Sequence, residues 1–369
     1  MLRLSTSAVK IAFRADASLQ MGTGHVMRCL TLADELANRG AECHFICREH
    51  HGHLAELIAA RGHMLNLLPR GSDDVVDSMA TAHGSWLGVA QIEDVKCCQP
   101  ILHSLQPNWL VVDHYALDHE WHRRLKGSFG RLMVIDDLAD RAHQCDLLLD
   151  QNLGRSSADY QNLVPSHCNV ITGPDYALLR PEFAATREIS LKRRPSARLR
   201  RILITMGGVD IPNATCEVLQ ALQTALLPKD CEITVVMGPT SPWLSQVRAV
   251  ASTMHKRAQV FVGVSDMAGL MADCDLAIGA AGSTSWERCC LGLPTIVLIL
   301  AENQRFISSQ LDRAGAADAV NLSAGNFKCQ MRKLIARYCV PGEIAQKSAT
   351  AAAVCDGLGV QRVGNHLYG

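Results

Sequence analysis

The feature that most constrains this chain is a set of short, unbroken apolar runs that recur through both halves with helical patterns between them. In the first half the runs are Val9 to Phe13, Cys43 to Cys47, Met64 to Leu68, Trp109 to Asp113, Leu132 to Asp136 and Leu147 to Asp150. In the second they are Arg201 to Met206, Ile233 to Met237, Val260 to Val262, Leu276 to Ile278 and Thr295 to Leu300. Runs of about five β-favouring residues without polar alternation suit strands covered on both faces, as in parallel sheets flanked by helices. Segments such as Val26 to Arg39 and Ala55 to Arg61 carry the intervening helical pattern. The chain therefore predicts an α/β fold of two Rossmann-like, doubly wound parallel-sheet domains. Its 369 residues agree, because a domain averages roughly 150.

The break between domains is predicted at Arg180 to Arg201, which carries Pro181, Pro195 and the basic residues Lys192, Arg193, Arg194, Arg198, Arg200 and Arg201. Without aromatics interleaved among those charges, the stretch reads as a solvated linker and not a nucleic-acid patch. The expected division is residues 1–180, a linker at 181–200, a second domain at 201–345, and a tail at 346–369 that could form a helix packing back on the first domain.

Lys plus Arg total 36 and Asp plus Glu total 36, so the formal charge is zero. That excludes a protein held on nucleic acid by its whole-body field, and any bound anion must be held locally. Hydrophobic residues at 48% against 20% charged supply two buried cores and exclude a disordered chain. The fifteen cysteines are scattered, and the adjacent pairs Cys97-Cys98 and Cys289-Cys290 are awkward for tetrahedral zinc. Lys10 interrupts the opening before an apolar targeting region develops. The longest apolar run, Leu291 to Ala301, contains Pro294 and falls short of the ~20 residues of a membrane span. These features predict a reducing, cytoplasmic setting with no membrane partner, where thiols serve mostly as small buried hydrophobes.

The chemistry is expected in loops after the strands. Arg14-Ala15-Asp16 leads to Met21-Gly22-Thr23-Gly24-His25-Val26-Met27-Arg28. Gly22 and Gly24 permit a tight turn and close approach of a ligand, and the helix beginning near His25 points unpaired N–H groups at an anion. Met27 stands where a dinucleotide fingerprint needs a small residue, so a nicotinamide or flavin cofactor is disfavoured. His25 sits where the positive end of the helix dipole opposes protonation, which favours the neutral imidazole of a general base; the alternative is a histidine that merely packs on its loop.

The second half repeats the pattern. Gly207 and Gly208 follow its first strand, with Asn213 and Thr215 suited to cap the next helix. Gly282, Ser283 and Glu287 lie in a strand, loop and helix start that could seat a phosphate and a ribose hydroxyl, and Asn303-Gln304 follows a further apolar strand. Each loop alone could be an ordinary connection. Asp113-His114-Tyr115 closes a strand and could line the crevice, and Asp136-Asp137 could be a metal or structural pair. His50-His51-Gly52-His53 has no carboxylate at ligand spacing, His119-Glu120-Trp121-His122 is one residue short of the zincin spacing, and no Walker A segment occurs.

Taken in order, Arg14 to Asp16, Gly22 to Leu30, Asp113 to Tyr115, Tyr176 to Arg180, Met206 to Gly208, Gly282 to Glu287 and Asn303-Gln304 resemble the nucleotide-sugar hydrolases of pseudaminic acid biosynthesis, the PseG family. The Gly-x-Gly-His-x-x-Arg segment is the specific part, and the strong motifs leave the tail uncovered. The resemblance implies a GT-B, MurG-like fold, with nucleotide held mainly by the C-terminal domain and sugar in an interdomain cleft. It implies metal-independent release of UDP by water activated at His25, with inversion. It also implies substrate contacts from Arg14, Asp16, Gly22, Gly24, Arg28, Tyr115, Arg180, Gly207, Gly208, Gly282, Ser283, Glu287, Asn303 and Gln304. No cofactor is expected, the partner is a UDP-sugar and not nucleic acid, and the chain should be a monomer. A GT-B glycosyltransferase and a non-catalytic nucleotide-sugar binder are the alternatives, since likeness of fold does not determine the reaction.

Overall fold

The computed structural model describes residues 8–71, 83–255 and 257–368. The chain forms two compact units, one running to Leu178 and resuming at Val360, the other spanning Leu179–Gly359.

The first unit is a seven-stranded parallel sheet of β1 (Lys10–Ala15), β2 (Glu42–Arg48), β3 (Met64–Leu68), β4 (Trp109–Asp113), β5 (Arg131–Ile135), β6 (Leu147–Asp150) and β7 (Asn169–Thr172), in the order β3-β2-β1-β4-β5-β6-β7. Ile11 to Ala15 and all of β4 are buried, as strands covered on both faces require. The order reverses between β1 and β4, and Ala15 pairs with Asp113 at the carboxyl ends of those strands. In open α/β sheets this reversal point opens the crevice that takes ligands. The edge strand β7 lay outside the predicted set because Asn169 and Thr172 flank only two apolar residues.

The second unit repeats the plan with β8 (Arg201–Thr205), β9 (Glu232–Met237), β10 (Arg257–Val262), β11 (Leu276–Ala280), β12 (Thr295–Ile299) and β13 (Asp318–Asn321), ordered β10-β9-β8-β11-β12-β13. Its reversal lies between β8 and β11, where Thr205 pairs with Gly279. Strand β13 was hidden by its polar ends; Asp318 there accepts from Lys347 (2.9 Å) and the Tyr338 hydroxyl (2.5 Å).

Two expectations about domain boundaries change. The stretch 181–200 is not a solvated linker: Pro181–Arg193 is a helix of the second unit, with proline at its first turn. Its arginines are consumed as donors. Arg187 reaches the carbonyls of Ala352 (2.8 Å) and Cys355 (2.9 Å), Arg193 that of Cys274 (3.1 Å), and Arg194, only 2% exposed, that of Met271 (3.1 Å). Within the basic run, Arg193 and Arg194 tie down backbone carbonyls, whereas Lys192, Arg198, Arg200 and Arg201 are exposed as expected. The tail also divides. Glu343–Ala352 is a helix of the second unit with Ile344 in its core, whereas Gly359–Tyr368 puts Val360, Val363 and Leu367 into the first unit's core. There Trp109 Nε1 donates to the Leu367 carbonyl (3.0 Å).

Beneath the first sheet's ligand end lies a closed charge network. Arg14 donates to Asp16 (2.6 Å) and, through two nitrogens, to Asp94 (2.7 and 3.2 Å), and Arg48 adds a bond to Asp94 (2.6 Å). Arg14, Asp16 and Asp94 are 0% exposed. Burial opposes the charge on Asp94, but Arg14 overcomes it and holds the carboxyl down at about 2. Removing one member of such a set leaves the others charged and unpaired. Arg14→Met should therefore cost about 3–5 kcal/mol in denaturant unfolding. Because the folded value of Asp94 lies below its unfolded value of roughly 4, its stabilisation is present above that pH and is lost as pH falls toward about 2. Denaturation curves that are flat across that window would contradict this.

Candidate active site

The helix that follows β1 spans Gly24–Asn38, has no acidic residue in its first turn, and receives no side-chain cap from Thr23. Its first-turn amides and dipole thus keep their positive character. Gly22, at φ +81°, makes the turn into it. His25 and Arg28, three residues apart, share a helix face and converge on Asp113 at the end of β4. His25 Nδ1 lies 2.6 Å from Asp113 Oδ1, and Arg28 donates to both oxygens (2.6 and 2.7 Å). A carboxylate only accepts, so the neutral ring carries its proton on Nδ1 and presents Nε2 as the acceptor. Burial opposes charge on Asp113, yet Arg28 and then His25 hold it well below the usual carboxylate range. His25 remains 8% exposed and Asp113 is fully buried.

Around this dyad the next residues along the chain alternate in direction. His114 turns inward, its Nδ1 accepting from the Ala116 amide (3.1 Å) and its Nε2 facing Asp16 at 3.3 Å. Burial pushes it down, and at 3% exposure the ring packs in the interior against Asp16. Tyr115 returns to the dyad, with its ring edge-on to His25 at 4.6 Å and its hydroxyl donating to Asp137 (2.7 Å). Burial, then Asp137, pushes that hydroxyl well above the usual phenol range. Arg28 also donates to Asp137 (2.6 Å), so Asp137 braces both the arginine and the tyrosine. Trp86 stacks on Tyr115 at 5.6 Å, and His83 lies 4.5 Å from Trp86. Trp86 and His83 carried no sequence signal, because they sit in a short turn outside the strand-end loops. Asp113 had one: it ends an apolar strand next to β1.

Several sequence-based assignments change. Arg14 and Asp16 belong to the buried network and have no exposed surface to offer a ligand. The Gly22 amide is taken by the Ser18 carbonyl (2.9 Å), so it cannot cradle a phosphate. Arg28 has all three guanidinium nitrogens on Asp113 and Asp137, which makes it a positioning residue. Gly24 is exposed at the helix start. Asp136 is structural: it accepts from the Tyr160 hydroxyl (3.0 Å), which also reaches Asp150 (2.8 Å), and pairs with Arg141 (2.9 Å). The histidines at 50–53 are spread over separate partners, with His50 facing Asp16 (3.6 Å), His51 against Arg70, and His53 accepting from the Ala55 amide (3.2 Å). Among the described residues no cluster of three or more His, Cys, Asp or Glu is placed to hold a metal ion.

In the second unit the glycine loops lie at the β8/β11 reversal. Gly207, at φ +89° with open space where a Cβ would project, turns the chain after β8, and Gly208 follows. The next helix is capped not by Asn213 or Thr215 but by Asp210, which accepts from the Ala214 (2.8 Å) and Thr215 (3.0 Å) amides. After β11, Gly282 also faces open space, and Ser283 leads into the helix Thr284–Cys290 without capping it. Glu287 is half-buried, and burial pushes its carboxyl up against the pull of Arg180. Arg180 pairs with Glu182 (2.8 Å) and lies over the Phe183 ring. Asn303 is exposed in a turn after β12, whereas Gln304 spends its Oε1 on the Leu300 amide (3.0 Å).

No family model matches the chain. It is 25% identical over 307 residues to the UDP-2,4-diacetamido-2,4,6-trideoxy-β-L-altropyranose hydrolase of Campylobacter jejuni, covering 83% of this chain and 97% of that protein. It is also 25% identical over 301 residues to the uncharacterized protein MJ1062 of Methanocaldococcus jannaschii, covering 80% of this chain but only 57% of the archaeal one, little more than half its length. Among solved structures, MurG of Acinetobacter baumannii superposes with a TM-score of 0.69 at 15% identity, covering 98% of this chain and 99% of that one. The chain therefore has the GT-B fold of MurG, and along most of its length it resembles the UDP-2,4-diacetamido-2,4,6-trideoxy-β-L-altropyranose hydrolase of Campylobacter jejuni.

Proposed function

We propose that the chain is a nucleotide-sugar hydrolase that releases UDP from UDP-2,4-diacetamido-2,4,6-trideoxy-β-L-altropyranose by attack of water at C1. The observation that carries this reading is the dyad: His25 Nδ1 lies 2.6 Å from a buried Asp113, which leaves Nε2 to take a proton from water. Asp113 stays ionised, so it stabilises the imidazolium that forms during attack, and Arg28 fixes the carboxylate so that the ring has one orientation. The Tyr115 hydroxyl is committed to Asp137, so Tyr115 contributes its ring wall beside the imidazole. No general acid is needed if the departing UDP charge is met by amides and helix dipoles. The proposed donors are Gly24 at the His25 helix in the first unit and the Gly207, Gly208, Gly282 and Ser283 loops in the second, where the charge of Arg180 reaches Glu287. Glu287, which makes no ion pair among the described residues, would accept from ribose hydroxyls, and Asn303 with the Gln304 amide nitrogen would contact substrate. A single displacement by water inverts C1. The Campylobacter jejuni relative, whose name states this hydrolysis, supports the substrate class.

The test is acceptor-free turnover. Purified protein should release UDP from this UDP-sugar in buffer alone, followed by phosphorus NMR. Release only when a hydroxyl acceptor is added would make it a glycosyltransferase, and binding without release a nucleotide-sugar binding protein. His25→Asn should lower kcat by about 100 to 10,000-fold while leaving calorimetric UDP affinity and the fold intact; a variant with near-native turnover would remove His25 from the mechanism. Asp113→Asn should produce a loss of similar order, read mainly in kcat with little change in KM, because the ring loses its fixed tautomer. If KM alone responds, Asp113 serves binding instead.

A further inference from the structure

At the opposite end of the first sheet from His25, two thiols face each other. Cys145 and Cys168 lie just before β6 and β7, strands that run parallel with Leu147 opposite Asn169, and their Sγ atoms are 3.6 Å apart. The Asn169 amide donates to the Asp146 carbonyl (2.9 Å), so the backbone holds the two cysteines side by side. Cys145 is buried while Cys168 is half-buried. The residues flanking the pair, Asp146, His167 and Asn169, line a cavity of about 280 Å³ with Arg131 and His366. Cys168 does not itself line the cavity, but its chain neighbours His167 and Asn169 do, which puts a space for a small organic molecule next to the thiol, with the Arg131 guanidinium and the His366 imidazole able to meet carboxylates. The Asp146 carboxylate is itself occupied, accepting from the Leu132 amide (2.8 Å) and facing His167 (3.5 Å).

We infer that Cys145 and Cys168 are a reversible thiol–disulfide exchange site for a low-molecular-weight, carboxylate-bearing disulfide. In the first step the Cys168 thiolate attacks one sulfur of the small disulfide, forming a mixed disulfide and expelling one small thiolate, which takes up the proton that Cys168 gave. Cys145 then gives up its proton and attacks the Cys168 sulfur. The second small thiolate leaves with that proton, and an intramolecular disulfide remains. Two protein thiols are oxidised by two electrons, and the small disulfide is reduced to two thiols. The order follows from burial. Cys168 is the half-buried thiol and Cys145 the buried one behind it, so an incoming disulfide meets Cys168 first; Cys168 attacks and Cys145 resolves. Burial pushes up Cys43, Cys274 and Cys289, each to about 12. The inference is independent of the proposed hydrolase reaction.

Incubating the intact reduced protein with oxidised glutathione, alkylating the remaining thiols and mapping peptides by mass should reveal a Cys145–Cys168 cross-link. Two titratable thiols should be lost, and dithiothreitol should restore both. Cys145→Ser should stop at a glutathione adduct on Cys168, and Cys168→Ser should leave Cys145 unmodified. If both cysteines stay alkylatable while glutathione appears on the exposed Cys329 and Cys339, the inference is overturned. The wild-type map alone decides this should either variant fail to fold.

Discussion

Asp113 is the group on which the first unit's site depends. It closes β4 beside Ala15 of β1, at the point where strand order reverses, and it accepts from His25 and Arg28, which the intervening helix presents on one face. A buried carboxylate is tolerable only where donors compensate its lost hydration. Here the compensation also orients the imidazole. Asp137 repeats the device one strand over, holding Arg28 and the Tyr115 hydroxyl, so the ring beside His25 is as constrained as the imidazole itself. The Arg14, Asp16 and Asp94 network lies beneath as scaffold and shows why a charged residue next to a glycine loop need not touch a ligand.

With 36 basic and 36 acidic residues the chain has no overall field with which to attract an anion. In the proposed reading local donors do that work, and the uncapped helix at Gly24 and the glycine turns after β8 and β11 are the places proposed for it, built from backbone and not from surface lysine or arginine. The basic residues at 193 and 194, which sequence composition suggested were solvated, are bound to carbonyls of the second unit.

Most of the architecture was legible because strands buried on both faces leave uninterrupted apolar runs. Strands β7 and β13 were not, since an edge strand with polar ends leaves no such signal. The position of His25 in a helix's first turn was legible from the glycine loop that precedes it. The Asp113 partnership was only half legible, because pairing between β4 and β1 is a long-range fact that no local spacing encodes. Arg14, Asp16 and the Gly22 amide were misassigned for the same reason: their partners Asp94, Arg48 and Ser18 are set by tertiary packing and a local turn. Trp86 and His83 join the site through a turn whose sequence has neither glycine-loop nor strand-end character.

The central claim is that His25, oriented by Asp113, activates water for attack at the sugar carbon. Turnover in water enriched in oxygen-18 tests it most directly, with phosphorus NMR reading the isotope on the released UDP. Unlabelled UDP is the expected product, because the broken bond is the one between C1 and oxygen. Label on the β-phosphate would place the attack at phosphorus and contradict it.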